Sequence, residues 1–326
     1  MSIGRLIAAA FATVFAASLA SPAARADETK LTVMAFLGIQ NLPIWAAQSQ
    51  GFFAKRGLAI DLKVSPGSAV LRQGLAEGKW QIGHAAFDNA VAMVDVAKID
   101  VVGVIGGDNS FNHLIVQPEI GTIADLRGKT VVVDAPDTAY AFQLYEILEK
   151  NGLHKGDYAV KSVGATFKRL AAMQQDKAAA AMIINAPFSF LALKSGLKDM
   201  GPVEKFIGPH QATAGFVLRA WARAHPDALV KYLQAYIEGL RWSLDAKNKD
   251  AATAILAAHL KLTPEIAAAC YALLSDPVNG LAKDGSFNIE GFKNVLKLRA
   301  KFEGGTPPAP EKYLDLSYYQ KALAGL

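Results

Sequence analysis

From Leu31 onward the chain alternates short apolar runs with longer segments whose apolar positions recur every three or four residues. Leu31–Phe36, Leu58–Val64, Trp80–Ala85, Val101–Ile105 and His113–Val116 read as strands. Between them, Pro43–Phe53, Ser68–Glu77 and Asn89–Ala97 read as helices, with Asn41 near the first N-cap, Ser68 able to cap the second and Gly78 stopping it. A second unit begins near Ile120. It predicts strands at Thr130–Asp134, Val160–Val163 and Ala179–Ile184, helices at Thr138–Lys150 and Phe167–Gln175 (Thr166 as cap), and a helix after Pro187. Ala214–Leu218 reads as a strand leading back to the first unit. Helices follow at Pro226–Ala246, Ala251–Leu260, Pro264–Leu274 and Ile289–Phe302, then a tail ending in Tyr313–Leu326. Short connections between alternating strands and helices predict an α/β protein whose mostly parallel sheets carry helices on both faces.

The N-terminus carries a different pattern. Arg5 precedes an apolar run, Leu6–Leu19, followed by Ser21, Pro22 and Ala24-Arg25-Ala26. This is the plan of a secretory signal peptide cleaved after Ala26, and the run is short of the roughly 20 apolar residues that span a bilayer. The expected location is a periplasm. Cleavage would remove Arg5 and Arg25 from the 34 basic residues, leaving 32 against 29 acidic ones. The remaining charge is scattered, which argues against nucleic acid as partner. Over 326 residues, 52% of them apolar, there is material for about two cores. One cysteine, Cys270, provides neither an internal disulfide nor a thiolate metal site, and the six histidines are scattered without metal-ligand spacing. No cofactor and no metal are expected, and a monomer is.

Several segments, in their order, carry a resemblance. They are Asn41-Leu-Pro43, Gly51-Phe-Phe-Ala-Lys-Arg-Gly-Leu58, Ile60-Asp-Leu62, the turn Ser65–Ser68, Leu75-Ala-Glu-Gly-Lys-Trp-Gln-Ile-Gly83, Ile123-Ala-Asp-Leu-Arg-Gly-Lys-Thr-Val131 and Asn185-Ala-Pro-Phe188. Together they resemble the alkanesulfonate/taurine/nitrate/thiamine-precursor family of ABC-transporter substrate-binding proteins (NMT-like), over nearly all of residues 30–325. The resemblance implies a two-lobed periplasmic-binding-protein fold of type II kind, with extra C-terminal helices on lobe 1. It also implies a ligand held between the lobes and delivery to an inner-membrane ABC permease with its cytoplasmic ATPase. The expected division is lobe 1 at 27–117 plus 216–326 and lobe 2 at 118–215, with crossings near His113–Ile120 and Ala214–Leu218.

In open α/β sheets, ligands bind beyond the carboxyl ends of strands, where helix N-termini present free N–H groups. The strand-to-helix turns therefore supply the candidates. The resemblance assigns Gln40, Asn41, Ser68, Phe87, Asp88, Asn89, Asp137, Thr138 and Asn185 to the cleft, and the turns add Trp45 and Phe188 as aromatic platforms. Asp137 and Ser68 equally suit helix caps, and Trp45 and Phe188 equally suit cores. No turn carries Lys or Arg before its helix begins, and Asp88 and Asp137 would oppose an anion. The expected ligand is small and neutral or weakly basic, a heteroaromatic such as a pyrimidine or thiamine precursor. The rival within the family is a sulfonate, nitrate or aromatic acid. Rivals of another class are a pyrimidine-synthesising enzyme on the same fold, whose relatives use a cysteine-rich motif and iron, and a sensor subunit for a receptor.

Overall fold

A computed structural model describes residues 28–326. The signal-peptide reading of residues 1–26 lies outside the described residues. The chain begins with β1 (Thr29–Ala35), α1 (Leu42–Ser49), β2 (Leu58–Val64), α2 (Ser68–Ala76), β3 (Ile82–Ala86), α3 (Asp88–Asp95) and β4 (Val101–Gly106). It continues through β5 (Asn112–Val116), β6 (Thr130–Val133), α4 (Ala139–Lys150), β7 (Ala159–Ser162), α5 (Thr166–Gln175) and β8 (Ala179–Asn185). After α6 (Phe188–Lys194), β9 (Lys198–Pro202) and α7 (Glu204–Ile207), β10 (Thr213–Leu218) returns to the start. Helices α8 (Arg219–Ala224), α9 (Pro226–Leu244), α10 (Lys249–Leu260), α11 (Pro264–Leu274), α12 (Ile289–Glu303) and α13 (Ser317–Ala324) complete it.

Two five-stranded sheets result, in the orders β2-β1-β3-β10-β4 and β7-β6-β8-β5-β9. In the first, β1, β2 and β3 run parallel and β10 lies antiparallel between β3 and β4. In the second, β6, β7 and β8 are parallel and β5 is antiparallel to both β8 and β9. Strand β5 therefore pairs in the second sheet, not the first. The chain changes sheets between Gly106 and Asn112 and again between Pro202 and Thr213, a few residues before each expected crossing. A hydrophobic β5 fits either sheet by periodicity, and only its partners decide.

Alternation along the strands sorts side chains to two faces. In the second sheet Leu114, Val116, Val131 and Val133 pack with Leu144, Ile147 and Leu148 of α4, whereas Ile115 and Val132 meet Leu170 and Met173 of α5 and Phe188 and Ala192 of α6. In the first sheet, Val33, Val102 and Val217 pack with α9 and α13, and the opposite face packs α2, α3 and α12. Segments β9, α7 and α8 are short and mixed in character, and no periodicity marks them in the sequence.

One core feature sets a pH response. His84 in β3 is 2% exposed; its Nε2 and the Tyr232 hydroxyl share a hydrogen bond at 2.9 Å, and Tyr236 stacks 5.1 Å away. Burial pushes His84 down to about 3 and, elsewhere, His210 down to about 4. The unfolded chain protonates both near 6.5, while the fold excludes those protons, so the contribution of these two histidines lowers stability as pH drops from about 6.5 toward 4. Relative to wild type, His84→Gln should flatten this decline by about 1.4 kcal/mol per pH unit, read from urea titrations at pH 5 and pH 7.

Candidate functional site

Both sheets direct strand ends into one narrow cavity between the lobes. The first contributes Phe36, Gln40, Ser68 and Asn89; the second contributes Asp134, Thr138, Arg169 and Asn185. Asp108, Phe111 and His210 come from the segments that join the lobes. Hydrogen bonds already span the gap. The Ser68 hydroxyl donates to Asp134 Oδ2 at 3.1 Å, and Asn185 Nδ2 donates to Gln40 Oε1 at 3.4 Å.

Helix N-termini of α2, α4 and α5 ring this space with partial positive charge. Asp134, at the end of β6, is the anion that answers it. Its Oδ1 accepts from the Thr138 hydroxyl at 2.5 Å and lies 4.0 Å from Arg169 Nη1. Arg169 is 1% exposed and is held by the carbonyls of Gly164 (2.6 Å) and Ile183 (3.2 Å). Burial pulls its pKa down, only partly offset by Asp134 and Tyr140. Its guanidinium stands 5.1 Å over the Tyr140 ring. The place where an anionic ligand would sit is thus already served by a protein carboxylate.

Other polar atoms of the cleft have no partner. Asn89 Oδ1, Asp108 Oδ2, Asn185 Oδ1, Arg169 Nε and His210 Nδ1 are buried and make no hydrogen bond. All five residues line the cavity, and only Glu204 and Arg299 add a similar atom elsewhere among the described residues. Such groups are rare in folded proteins because each costs on the order of 1–3 kcal/mol, so their convergence marks a place for a guest. The tautomer of His210 follows from its neighbours. Asn112 Nδ2 donates to Gln143 Oε1 at 2.9 Å, leaving Gln143 Nε2 to donate to His210 Nε2 at 2.8 Å, so the proton sits on Nδ1. The cleft then offers three acceptors and two donors.

Of the residues read from sequence, Gln40, Ser68, Asn89, Thr138 and Asn185 line the cavity. The other six do not. Asn41 is buried and donates to the Phe36 carbonyl at 2.7 Å, bracing the first turn. Trp45 stacks on His259 at 4.5 Å within the α10–α11 cluster. Phe87 sits in an aromatic nest with Phe287 (4.9 Å) and Phe292 (4.8 Å). Phe188 is core to the second lobe. Asp88 is 2% exposed and its Oδ1 accepts from Arg299 Nη1 at 2.6 Å. Asp137 faces outward, 3.7 Å from Arg72 Nη2. The caps also differ: Thr138, not Asp137, caps α4, and the Ser68 hydroxyl points to Asp134 instead of capping α2.

The aromatic walls are instead Phe36, Phe111 and Tyr140, and the charged groups are Asp108, Asp134 and Arg169. Arg169 brings a guanidinium to the cleft from inside a helix, although no turn carries Lys or Arg before its helix begins. It lies in the first turn of α5, past the loop residues to which the sequence reading was confined. Asp134 was legible as the residue that ends β6; Asp108 and His210 were not, because they stand in the crossings. Gly38 is needed here for close approach. A Cβ on it would lie 2.2 Å from Gln40 Oε1 and 2.9 Å from Asn185 Nδ2. Gly38→Ala should break the Gln40–Asn185 contact and weaken ligand binding about tenfold, measured by calorimetry, with the melting temperature within about 3 °C of wild type.

A pair of α/β lobes, each with its strand ends and helix N-termini on a shared cleft, defines the periplasmic-binding-protein fold. The chain belongs to the NMT1/THI5-like family, whose model matches residues 39–249. No curated protein matches the sequence. Among solved structures, the chain is similar to the periplasmic nitrate-binding protein NrtA from Synechocystis PCC 6803 (TM-score 0.76, 13% identity, 91% of this chain and 89% of that one). It is also similar to a zinc-bound ligand-binding component of an ABC-type import system from Staphylococcus aureus (TM-score 0.75, 14% identity, covering 90% and 98%). A third is the periplasmic aliphatic sulphonate binding protein SsuA from Escherichia coli (TM-score 0.65, 18% identity, covering 90% and 96%). These neighbours are binding proteins. Among the described residues, no helix is long and apolar enough to cross a membrane.

Proposed function

We propose that this chain is the extracytoplasmic solute-binding component of an ABC importer. It closes its lobes on one small organic molecule and passes it unchanged to a permease. The guest we propose is neutral or weakly basic, an amino-substituted heteroaromatic such as a pyrimidine or thiamine precursor. One observation carries this reading: five residues that line a cleft walled by aromatic rings each keep a buried polar atom without a hydrogen-bond partner. An aminopyrimidine presents N–H donors and ring-nitrogen acceptors around a flat apolar face, which suits Asn89, Asn185 and Asp108 on one hand and Arg169 on the other. Asp134 strengthens the case, since it already occupies the helix N-termini that an anion would use.

The rival reading, a sulfonate or nitrate, draws on Arg169 in the cavity and on the ligands named for NrtA and SsuA. Catalysis has less to build on. The thiol Cys270 is buried in α11 and pushed up to about 12 by burial, away from the cleft-lining residues. Native mass spectrometry of gently purified protein, followed by a thermal-shift panel, tests the proposal. A retained small basic heterocycle and stabilisation by aminopyrimidines are expected. Stabilisation by taurine or nitrate alone would reverse the assignment, and turnover of the retained molecule would end the binding-protein reading.

A further inference from the structure

The cleft contains two carboxylates, the buried Asp108 and the half-buried Asp134, and they are treated differently. Asp134 receives two hydroxyl donors and has Arg169 beside it. Asp108 has no ion-pair partner among the described residues. It is 2% exposed; Oδ1 accepts from the Ser110 amide at 3.0 Å, and Oδ2 accepts from nothing. A buried anion left half-satisfied is costly, and in a native protein it calls for a partner. Its backbone is held where the two crossings meet. The Ala212 N–H donates to the Asp108 carbonyl at 3.1 Å, and a bridge to Leu281 supports it from the other side. These contacts fix the Asp108 main chain between the two crossings.

We propose that Asp108 determines the charge specificity of the cleft: its free oxygen accepts a cationic or strongly polarised N–H group of the ligand and rejects anions. The inference rests on the ring-capture reading above and sharpens it. Its electrostatic setting agrees. Burial lifts the carboxyl to about 6, Thr213 and then the Ser110 amide offset this only in part, and the nearby acid Glu204 is itself raised. No cation of the protein pairs with Asp108 among the described residues, and a donor from the ligand meets that lack. Arg169, on the second lobe, then meets the acceptor side of the same guest.

The test uses one ring and three substituents. Calorimetry at pH 7.5 compares 4-aminopyrimidine, pyrimidine and pyrimidine-4-carboxylate on the wild-type protein and on Asp108→Asn. Wild type should favour the amine over pyrimidine by about ten- to a hundredfold and bind the carboxylate worst. Asp108→Asn should shrink the amine's advantage at least tenfold and improve carboxylate binding, while the melting temperature holds or rises because a buried charge has gone. Unchanged ratios in the variant, with or without a drop in melting temperature, would make Asp108 a purely structural turn residue and overturn the inference. Equal binding of all three by wild type would overturn it alone and leave ring capture standing. Binding of none would remove ring capture, and this inference with it.

Discussion

Replacing Asp88 with alanine should cost about 3–5 kcal/mol of folding stability, because it strands the Arg299 guanidinium without its main counter-charge. Both side chains are almost inaccessible, at 3% and 4% exposure. Arg299 Nη1 lies 2.6 Å from Asp88, and Nη2 lies 2.6 Å from Glu303, which is itself partly solvated. Removing one member of such a pair leaves an unpaired charge in a site built to exclude water. The double variant Asp88→Ala/Arg299→Met should recover most of the loss, since apolar replacement of a whole buried pair is often near neutral. Chemical denaturation of the two variants checks this. If Asp88→Ala instead kept full stability and lost ligand affinity, Asp88 would belong in the binding site where the turn pattern first put it.

The second large effect is expected far from the ligand. Helix α12 packs against α3 and the first lobe's core through Phe292, Val295 and Leu296, yet its end reaches α4 of the second lobe. Phe302 stacks on Phe142 at 5.7 Å and 8°, and meets the Tyr145 edge at 5.7 Å. Lys301 pairs with Glu149 at 2.7 Å and also with Glu146, and Arg299 Nη1 reaches the Asp137 carbonyl at 3.4 Å. These contacts join the lobes without touching the cavity. Phe302→Ala should remove about 1–2 kcal/mol from the closed arrangement, through lost aromatic packing and its shielding of the Lys301 pairs. Because ligand affinity falls with the competent fraction, the apparent Kd should rise about five- to thirtyfold. Small-angle scattering on the ligand-free variant should show a larger radius of gyration than wild type, with the saturated forms alike. An unchanged Kd and radius would mean that α12 and α4 stay joined however the lobes move.

The fold was largely legible because its strands and helices announce themselves by different periods. Leu58–Val64 is a strand with the bounds read from its pattern, and the helices before Gly78 and Gly152 stop where those glycines, at φ +70° and +77°, turn the chain. What stayed hidden was partnership. Nothing local to His113–Val116 says which sheet it joins, and nothing local to Asp88 announces an arginine 211 residues away. The site shows the same limit. Gln40, Ser68, Asn89, Thr138 and Asn185 line the cavity, and the strand ends and helix starts that carry them are visible in one dimension. Phe87, Trp45 and Phe188 occupy similar turns but point into cores, and side-chain direction is a property of packing. Asp108 and His210 lie in the joints, where a sequence gives no periodicity to read.

We propose that the five unpartnered atoms of the cleft hold a guest. A crystal structure of the protein purified with its own ligand tests this most directly. The expected result is one small ring system between the lobes, with hydrogen-bonding atoms within about 3.2 Å of Asp108 Oδ2, Asn89 Oδ1 and Asn185 Oδ1, and an acceptor at Arg169. A ligand seated elsewhere, or an anion that displaces Asp134 from the helix N-termini and leaves Asp108 unpaired, would contradict it.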